Sequence, residues 1–239
     1  ALIGGAAVSS NSFGAHRFFL DERLGLPHDV INDATLAEVS LEQWDVIVAP
    51  DGRRLGRDLG EAGRRSLRTW IEQGGTLIAV GSGAAGLESV TGVPLREGTP
   101  GDVGEELDRA LRTLEERELA RWEGRTPGAV LEVRLDPAHP LTFGTGAPGG
   151  ARLFVLSAGN GFEPSENFES AAWFDEDLER LSGVVSDATL DRLRRSSWLV
   201  HRPLGRGSVV LFADDPLFRM MWYVGFQLHA NALLFAPSF

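Results

Sequence analysis

One turn of the chain carries residues whose types and spacing could do chemistry. The apolar run TLIAV at positions 76–80 leads directly into Gly81-Ser82-Gly83, and Gly86 follows three residues later. The glycines fit the G-x-G-x-x-G pattern of dinucleotide-binding turns, whereas Ser82 could be a nucleophile at a strand-to-helix elbow. A third interpretation is structural, because glycines also permit sharp turns and close packing. We favour the structural interpretation, since a dinucleotide turn normally closes the first strand of its domain.

Further polar residues and glycines should lie near this turn if the strands are parallel. Gly5 follows the apolar run 1–3, and Asp51 follows the run 44–49. The carboxyl ends of parallel strands meet at one edge of a sheet, where backbone N–H groups could hold a small anion or polar ligand. Ser12 and Asp215 are also predicted N-caps of helices, and Arg219 could pair with Asp214 or Asp215, or hold an anion. The ligand-binding candidates are Gly5, Ser12, Asp51, Gly52, Gly81, Ser82, Gly83, Asp214, Asp215 and Arg219.

The elements that would position these residues follow from the hydrophobic pattern. Strands are predicted at 1–3, 28–31, 44–49 and 76–80, with helices at 12–23 and up to Gly74-Gly75. Alternating strands and helices are typical of a doubly wound parallel sheet. Further on, the pattern predicts a helix at 103–122, strands at 130–135, 153–156 and 171–174, and a hairpin of 198–202 with 208–212. A closing helix is predicted from Asp215, with Phe218, Met221, Trp222, Gly225 and Ala232 as its buried face.

Composition limits the function classes. The chain has 239 residues, 43% hydrophobic, and its 23 basic residues, all arginine, are outnumbered by 34 acidic ones. The net charge of -11 argues against nucleic acid or an anionic membrane as partner. Without cysteine there is no disulfide and no thiolate zinc site. We therefore predict one α/β domain over residues 1–239, three-layer and doubly wound, with a mostly parallel sheet and a C-terminal antiparallel hairpin.

Several segments resemble a known family. They are LDPAHPL at 135–141, PLGRGSVVLFADDP at 203–216, Phe218-Arg219 and NAL at 231–233. They are similar to a C-terminal region of bacterial zinc carboxypeptidases, which looks like a class I glutamine amidotransferase with a flavodoxin-like sheet. The chain, which begins without Met, would then be a domain excised from a longer secreted or periplasmic metallocarboxypeptidase, and its partner would be the peptidase domain.

The resemblance also implies lost chemistry. The peptidases bind zinc through His-x-x-Glu and a distant His, and no histidine here has Glu three residues on. The amidotransferase cysteine and His-x-Glu positions are taken by Gly81-Ser82-Gly83 and by Asp214-Asp215. We expect no metal, no cofactor and no catalysis in this domain. His139 is expected to make local hydrogen bonds in a turn, and His229 to be a hydrogen-bonded core residue. The alternative is a serine hydrolase or a small-molecule-binding enzyme built on Ser82, which would require a base within hydrogen-bond reach.

Overall fold

The computed structural model describes residues 1–96, 111–123, 126–145 and 152–238. The first half alternates strands and helices: β1 (Leu2–Gly4), α1 (Ser10–Phe18), β2 (Val30–Asn32), β3 (Val46–Ala49), α2 (Leu55–Asp58), α3 (Gly60–Glu72), β4 (Thr76–Val80), α4 (Gly81–Gly86) and α5 (Glu88–Thr91). A π-helical turn, Phe19–Leu24, extends α1, and 3-10 turns cover Asp33–Glu38 and Leu41–Gln43.

The second half is richer in strands. Its elements are α6 (Leu114–Glu123), β5 (Gly128–Leu135), β6 (Arg152–Ser157), β7 (Glu169–Trp173), β8 (Arg180–Val184), α7 (Asp187–Leu193), β9 (Ser197–Leu204), β10 (Gly207–Phe212) and α8 (Val224–Phe235). Short 3-10 turns lie at Pro140–Thr142, Phe218–Met220 and Ala236–Ser238.

The strands form one mixed sheet in the order β2-β1-β3-β4-β10-β9-β7-β5-β6, with β8 beside β5. From β2 to β10 each neighbouring pair is parallel. From β10 to β6 each pair is antiparallel. The predicted α/β fold with a parallel sheet and a C-terminal antiparallel hairpin is confirmed, and the antiparallel part continues beyond that hairpin.

Strand β4 lies inside the parallel part because every one of its side chains can be buried. Leu77, Ile78, Ala79 and Val80 are all 0% exposed, as expected of a parallel strand covered on both faces. The connected hydrophobic core extends from Leu2 to Ala236 and includes both halves of the sheet. None of the described helices has the length and apolarity needed to cross a membrane.

Two predicted helix starts are wrong. Helix α1 is capped by Ser9, whose hydroxyl accepts the Ser12 N–H at 3.5 Å. Ser12 therefore lies inside the first turn, and its side chain contacts other segments. The closing helix begins at Val224 instead of after Asp215, because Arg219 and Met220 have left-handed φ angles of 49° and 55° that interrupt a helix.

The predicted buried face of the closing helix is partly wrong, and some elements were missed. Phe218 and Met221 are exposed and Trp222 is half-buried, whereas Gly225 and Ala232 are buried as predicted. Strand β8 and helix α7 were not predicted. Residues 103–110 of the helix predicted at 103–122 lie outside the described residues.

Candidate functional site

The apex of the turn after β4 is occupied by a glycine. Gly81 has φ +56°, and a Cβ built on it would lie 2.8 Å from Oδ1 of Asp51. In a nucleophile elbow the reactive side chain projects from the strained strand-to-helix turn. Here the strained position has no side chain, and Ser82 lies one residue later in the first turn of α4. The elbow interpretation of Ser82 therefore lacks its usual geometry.

Ser82 is held by the loop that follows β3. Its backbone N–H donates to Oδ1 of Asp51 at 2.8 Å, and its hydroxyl donates to the same oxygen. Thus the turns after β3 and β4 meet at the sheet edge, as the parallel topology predicts. The hydroxyl has a carboxylate partner, and among the described residues its hydrogen bonds reach no histidine.

Ser12 connects this turn to the end of β10. Its hydroxyl accepts the Asp51 backbone N–H at 3.0 Å and donates to Oδ2 of Asp215 at 2.6 Å. Asp215 also accepts the Leu217 N–H through Oδ1 at 2.9 Å. The predicted capping role of Asp215 is thus realised on a short turn and not on a helix. Ser12, Asp51, Ser82 and Asp215 form a continuous hydrogen-bonded chain.

Several backbone N–H groups along this edge donate to aspartates of the chain. Asp33, which follows β2, accepts the Ala7 N–H at 2.6 Å, as Asp51 accepts that of Ser82. Asp214 accepts the Ala158 N–H at 2.8 Å. We name Asp33, Asp51, Asp214 and Asp215 the aspartate crevice. Asp33 was missed by the sequence analysis, although its place after a predicted strand was the available signal.

Asp214 is the most deeply buried member of the aspartate crevice. It is 4% exposed, and its Oδ2 accepts the Trp198 indole N–H at 3.0 Å. Burial raises the pKa of Asp214 to about 6. The hydrogen bonds from Ala158, Ser157 and Trp198 lower that pKa in part, and the nearby Asp51 charge raises it.

The glycines of the turns are required by close packing. A Cβ on Gly5 would lie 2.2 Å from Oδ1 of Asp33, and one on Gly52 would lie 2.5 Å from the carbonyl oxygen of Ala7. A Cβ on Gly83 would lie 2.3 Å from the Pro50 oxygen. These contacts support the structural interpretation of the glycine pattern, because no other residue fits between the turns.

Arg219 lies apart from the aspartates. Its guanidinium carbon is 5.3 Å from the centroid of the Phe218 ring. Within the part of the chain that the structure describes, Arg219 has no salt bridge to Asp214 or Asp215. The predicted pairing of Arg219 with these carboxylates is not formed.

Two histidines are buried behind Ser12. His16 and His229 are both 0% exposed, with ring centroids 4.8 Å apart. Nδ1 of His16 donates to the Ser12 carbonyl oxygen at 2.9 Å, and neither ring nitrogen of His229 has a hydrogen-bond partner among the residues that the structure describes. Burial, followed by the charge of His16, lowers the pKa of His229 well below its usual range. His229 is thus a neutral core residue, as predicted, but the hydrogen bond that was predicted for it is not formed with the described residues.

A second cluster of side chains lies in the antiparallel half of the sheet. We name His139, Glu169 and His201 the His–Glu–His cluster. Oε2 of Glu169 is 3.1 Å from Nε2 of His139 and 3.3 Å from Nδ1 of His201. Glu169 and His201 are paired across β7 and β9, and His139 precedes the turn Pro140–Thr142.

Hydrogen bonds shape the charge of this cluster. The bond from His201 lowers the pKa of Glu169, while burial lowers the pKa of His201. His139 also accepts the Leu141 N–H through Nδ1 at 3.1 Å, which confirms its predicted local hydrogen bonding. The cluster was not predicted, because its members are far apart in the chain and no local motif joins them.

Comparison with solved structures identifies the fold. The chain is similar to PurLQS from Thermotoga maritima, with TM-score 0.59, 13% identity, and coverage of 97% of this chain and 96% of that one. It is also similar to a glutamine amidotransferase from Thermotoga maritima, with TM-score 0.56, 10% identity, and coverage of 100% and 97%. A ThuA-like protein from Parabacteroides merdae gives TM-score 0.56, 10% identity, and coverage of 99% and 89%.

These similarities show an amidotransferase-like and ThuA-like fold. Identities of 10% to 13% do not extend to activity or substrate. No protein-family model and no curated protein sequence matches the chain.

Proposed function

We propose that this chain is a non-catalytic accessory domain with an amidotransferase-like fold. The observation that carries the proposal is that the aspartate crevice engages the N–H groups of the sheet edge with the chain's own carboxylates. In an acyl-transfer enzyme such donors would face the oxyanion of the reacting group. Here the N–H groups of Ala7, Ser82, Ala158 and Leu217 already have aspartate acceptors, and Gly81 at the apex offers no nucleophile.

The charge of the crevice defines what could still bind there. A small anion would have to displace a carboxylate from its N–H partner and approach the remaining aspartates. Like charges at short range disfavour this. A neutral polar ligand carries no charge that the aspartates would repel. We therefore keep a polar ligand as the candidate for this crevice and no longer propose a small anion.

The parent protein is proposed from sequence resemblance. The segments 135–141 and 203–216 support an accessory role beside the peptidase domain of a secreted or periplasmic zinc carboxypeptidase. The coding sequence upstream of Ala1 tests this part of the proposal. A zinc peptidase domain in the same reading frame is the expected result, and an unrelated domain or a start codon there would contradict it.

A second candidate function is favoured by one contact. The Ser82 hydroxyl donates to Asp51, and a carboxylate can accept a serine proton during nucleophilic attack. In that case Ser82 would be the nucleophile and Asp51 the base of a hydrolase. The missing apex side chain and the Ser82 N–H already bound to Asp51 count against this candidate.

Fluorophosphonate labelling distinguishes the two functions. The intact chain and Ser82→Ala are incubated with the probe, and labelled peptides are identified by mass spectrometry. The accessory-domain proposal predicts no labelling of Ser82 and unchanged activity of the parent enzyme carrying Ser82→Ala. Stoichiometric labelling of Ser82 that Asp51→Asn abolishes would overturn it in favour of the hydrolase.

A further inference from the structure

The His–Glu–His cluster has the composition of a metal site, although the sequence led us to expect no metal in this domain. We propose that His139, Glu169 and His201 bind one Zn²⁺ ion, which links the turn Pro140–Thr142 to strands β7 and β9. Two imidazoles and one carboxylate are a common protein ligand set for zinc with a water as fourth ligand. The proposal is independent of the accessory role, because the cluster lies in the antiparallel half of the sheet and the aspartate crevice at the edge of the parallel half.

The distances within the cluster are close to those of a zinc coordination shell. With Zn–N and Zn–O bonds of about 2.1 Å, neighbouring ligand atoms of a tetrahedral site lie about 3.4 Å apart. Oε2 of Glu169 lies 3.1 Å from the His139 ring and 3.3 Å from the His201 ring. One ligand atom of each residue lies within 4.8 Å of the others. Small side-chain rotations therefore suffice to place the three atoms around one ion.

The surroundings leave an entry path and hold the imidazoles in place. The side chains of His139 and His201 are 6% and 4% exposed, whereas that of Glu169 is 65% exposed. An ion can thus enter from the Glu169 side, where water can complete its coordination. The turn after His139 is fixed by Asn231, whose amide donates to the Leu141 and Phe143 carbonyl oxygens at 2.9 and 2.8 Å.

Zinc binding requires each imidazole to free the nitrogen that donates to Glu169. On His201 the proton moves from Nδ1 to Nε2, and on His139 a further hydrogen bond must change. The Leu141 N–H donates to Nδ1 of His139 at 3.1 Å, so the neutral ring carries its proton on Nε2 and donates it to Glu169. A metal needs the Nε2 lone pair, and the proton then moves to Nδ1. The Leu141 N–H must consequently turn away. We therefore expect zinc binding to release the hydrogen bond between Leu141 and His139.

The test uses the tag-free full chain after treatment with a chelator. Isothermal titration with ZnCl₂ is expected to give one bound ion per chain, and Co²⁺ is expected to give the absorption bands of a tetrahedral site. Glu169→Gln keeps the size of the side chain and removes its charge, and it should weaken Zn²⁺ binding at least about tenfold.

The matched control is another histidine–carboxylate pair. Nδ1 of His28 lies 3.5 Å from Asp21, and Asp21→Asn should bind Zn²⁺ as the parent chain does. Circular dichroism confirms that each variant is folded. As a second readout, the NMR signal of the Leu141 amide should shift on addition of Zn²⁺ to the parent.

Three results would overturn the zinc proposal. They are the absence of stoichiometric binding by the folded parent, binding by Glu169→Gln within twofold of the parent, and equal weakening in Glu169→Gln and Asp21→Asn. None of them bears on fluorophosphonate labelling of Ser82, so the zinc site and the accessory function fail separately.

Discussion

The two halves of the sheet use their carboxylates in different ways. In the aspartate crevice, carboxylates accept backbone N–H groups, as Asp214 does from Ala158 and Asp51 from Ser82. In the His–Glu–His cluster, Glu169 contacts imidazoles on two other segments. A carboxylate bound to the backbone cannot leave without exposing an unpaired donor, whereas side chains that bind one another can be rearranged around an ion. The aspartate crevice is therefore closed, in the sense that its carboxylates are held by the chain's own backbone. The His–Glu–His cluster, in contrast, can accept a ligand.

The largest effect is expected from Asp214→Ala. The variant leaves the Ala158 N–H and the Trp198 indole N–H without an acceptor in a buried place, so the free energy of unfolding should fall by roughly 2 to 3 kcal/mol. Urea unfolding measures the loss. Asp214→Asn keeps one acceptor oxygen and should lose less. A loss below roughly 0.5 kcal/mol for Asp214→Ala would contradict the view that this region is closed.

The pH dependence of Asp214→Asn has a defined sign. Because burial raises the pKa of Asp214 to about 6, its contribution to stability is lost as the pH rises from about 4 through 6. The stability of Asp214→Asn relative to the parent should therefore increase over this range. Unfolding curves at closely spaced pH values test the trend, and a constant difference would mean that Asp214 titrates at its ordinary pKa.

An opposite pH dependence is expected from His229. Its pKa is lowered well below the usual range by burial, so the unfolded chain takes up a proton first as the pH falls below about 6.5. This costs the parent up to about 1.4 kcal/mol of stability per pH unit. His229→Leu should remove that slope, whereas His28→Gln should keep it. Equal slopes in the parent and His229→Leu would show that His229 is not a buried neutral group.

Asp215→Ala should have a smaller effect than Asp214→Ala. The Asp215 side chain accepts the Leu217 N–H and the Ser12 hydroxyl, and its loss should cost about 1 kcal/mol, as for other lost caps. Thermal unfolding checks this value. If stability is unchanged while binding of a ligand or partner is lost, Asp215 belongs to a binding site and the crevice is open.

The smallest effect is expected in the other region. Glu169→Gln should change the free energy of unfolding by less than about 0.5 kcal/mol in chelator-treated protein, because the Glu169 side chain is 65% exposed. Chemical denaturation without metal gives the value. A loss as large as that of Asp214→Ala would remove the distinction between the two regions.

The sequence predicted the parallel half of the site well. An unbroken apolar run followed by Gly81 identified β4, and parallel topology alone predicted that Asp51 would reach the turn after it. The sequence did not reveal which residue forms the apex of the turn. Gly81 has the positive φ angle in the folded structure and Ser82 does not, and this difference depends on how the whole turn folds. The helix predicted from Asp215 failed for a similar local reason, since the left-handed Arg219 and Met220 cannot be read from residue types.

The His–Glu–His cluster could not be predicted in the same way. Glu169 faces His201 only through the register of an antiparallel pair that contains bulges, and His139 reaches them from a turn after another strand. Each residue alone looks like an ordinary polar side chain. A contact that depends on the register of distant strands has no local signal in a single sequence.

The position of β10 has a consequence for folding during synthesis. This strand pairs with β4 on one side and β9 on the other, and Ser208 lies opposite Thr76. Until residues 207–212 leave the ribosome, β4 therefore presents an open apolar edge, and such edges recruit other chains. We expect nascent chains that stall before β10 to need a chaperone at β4, although the parallel strands β1 to β4 have already been synthesised.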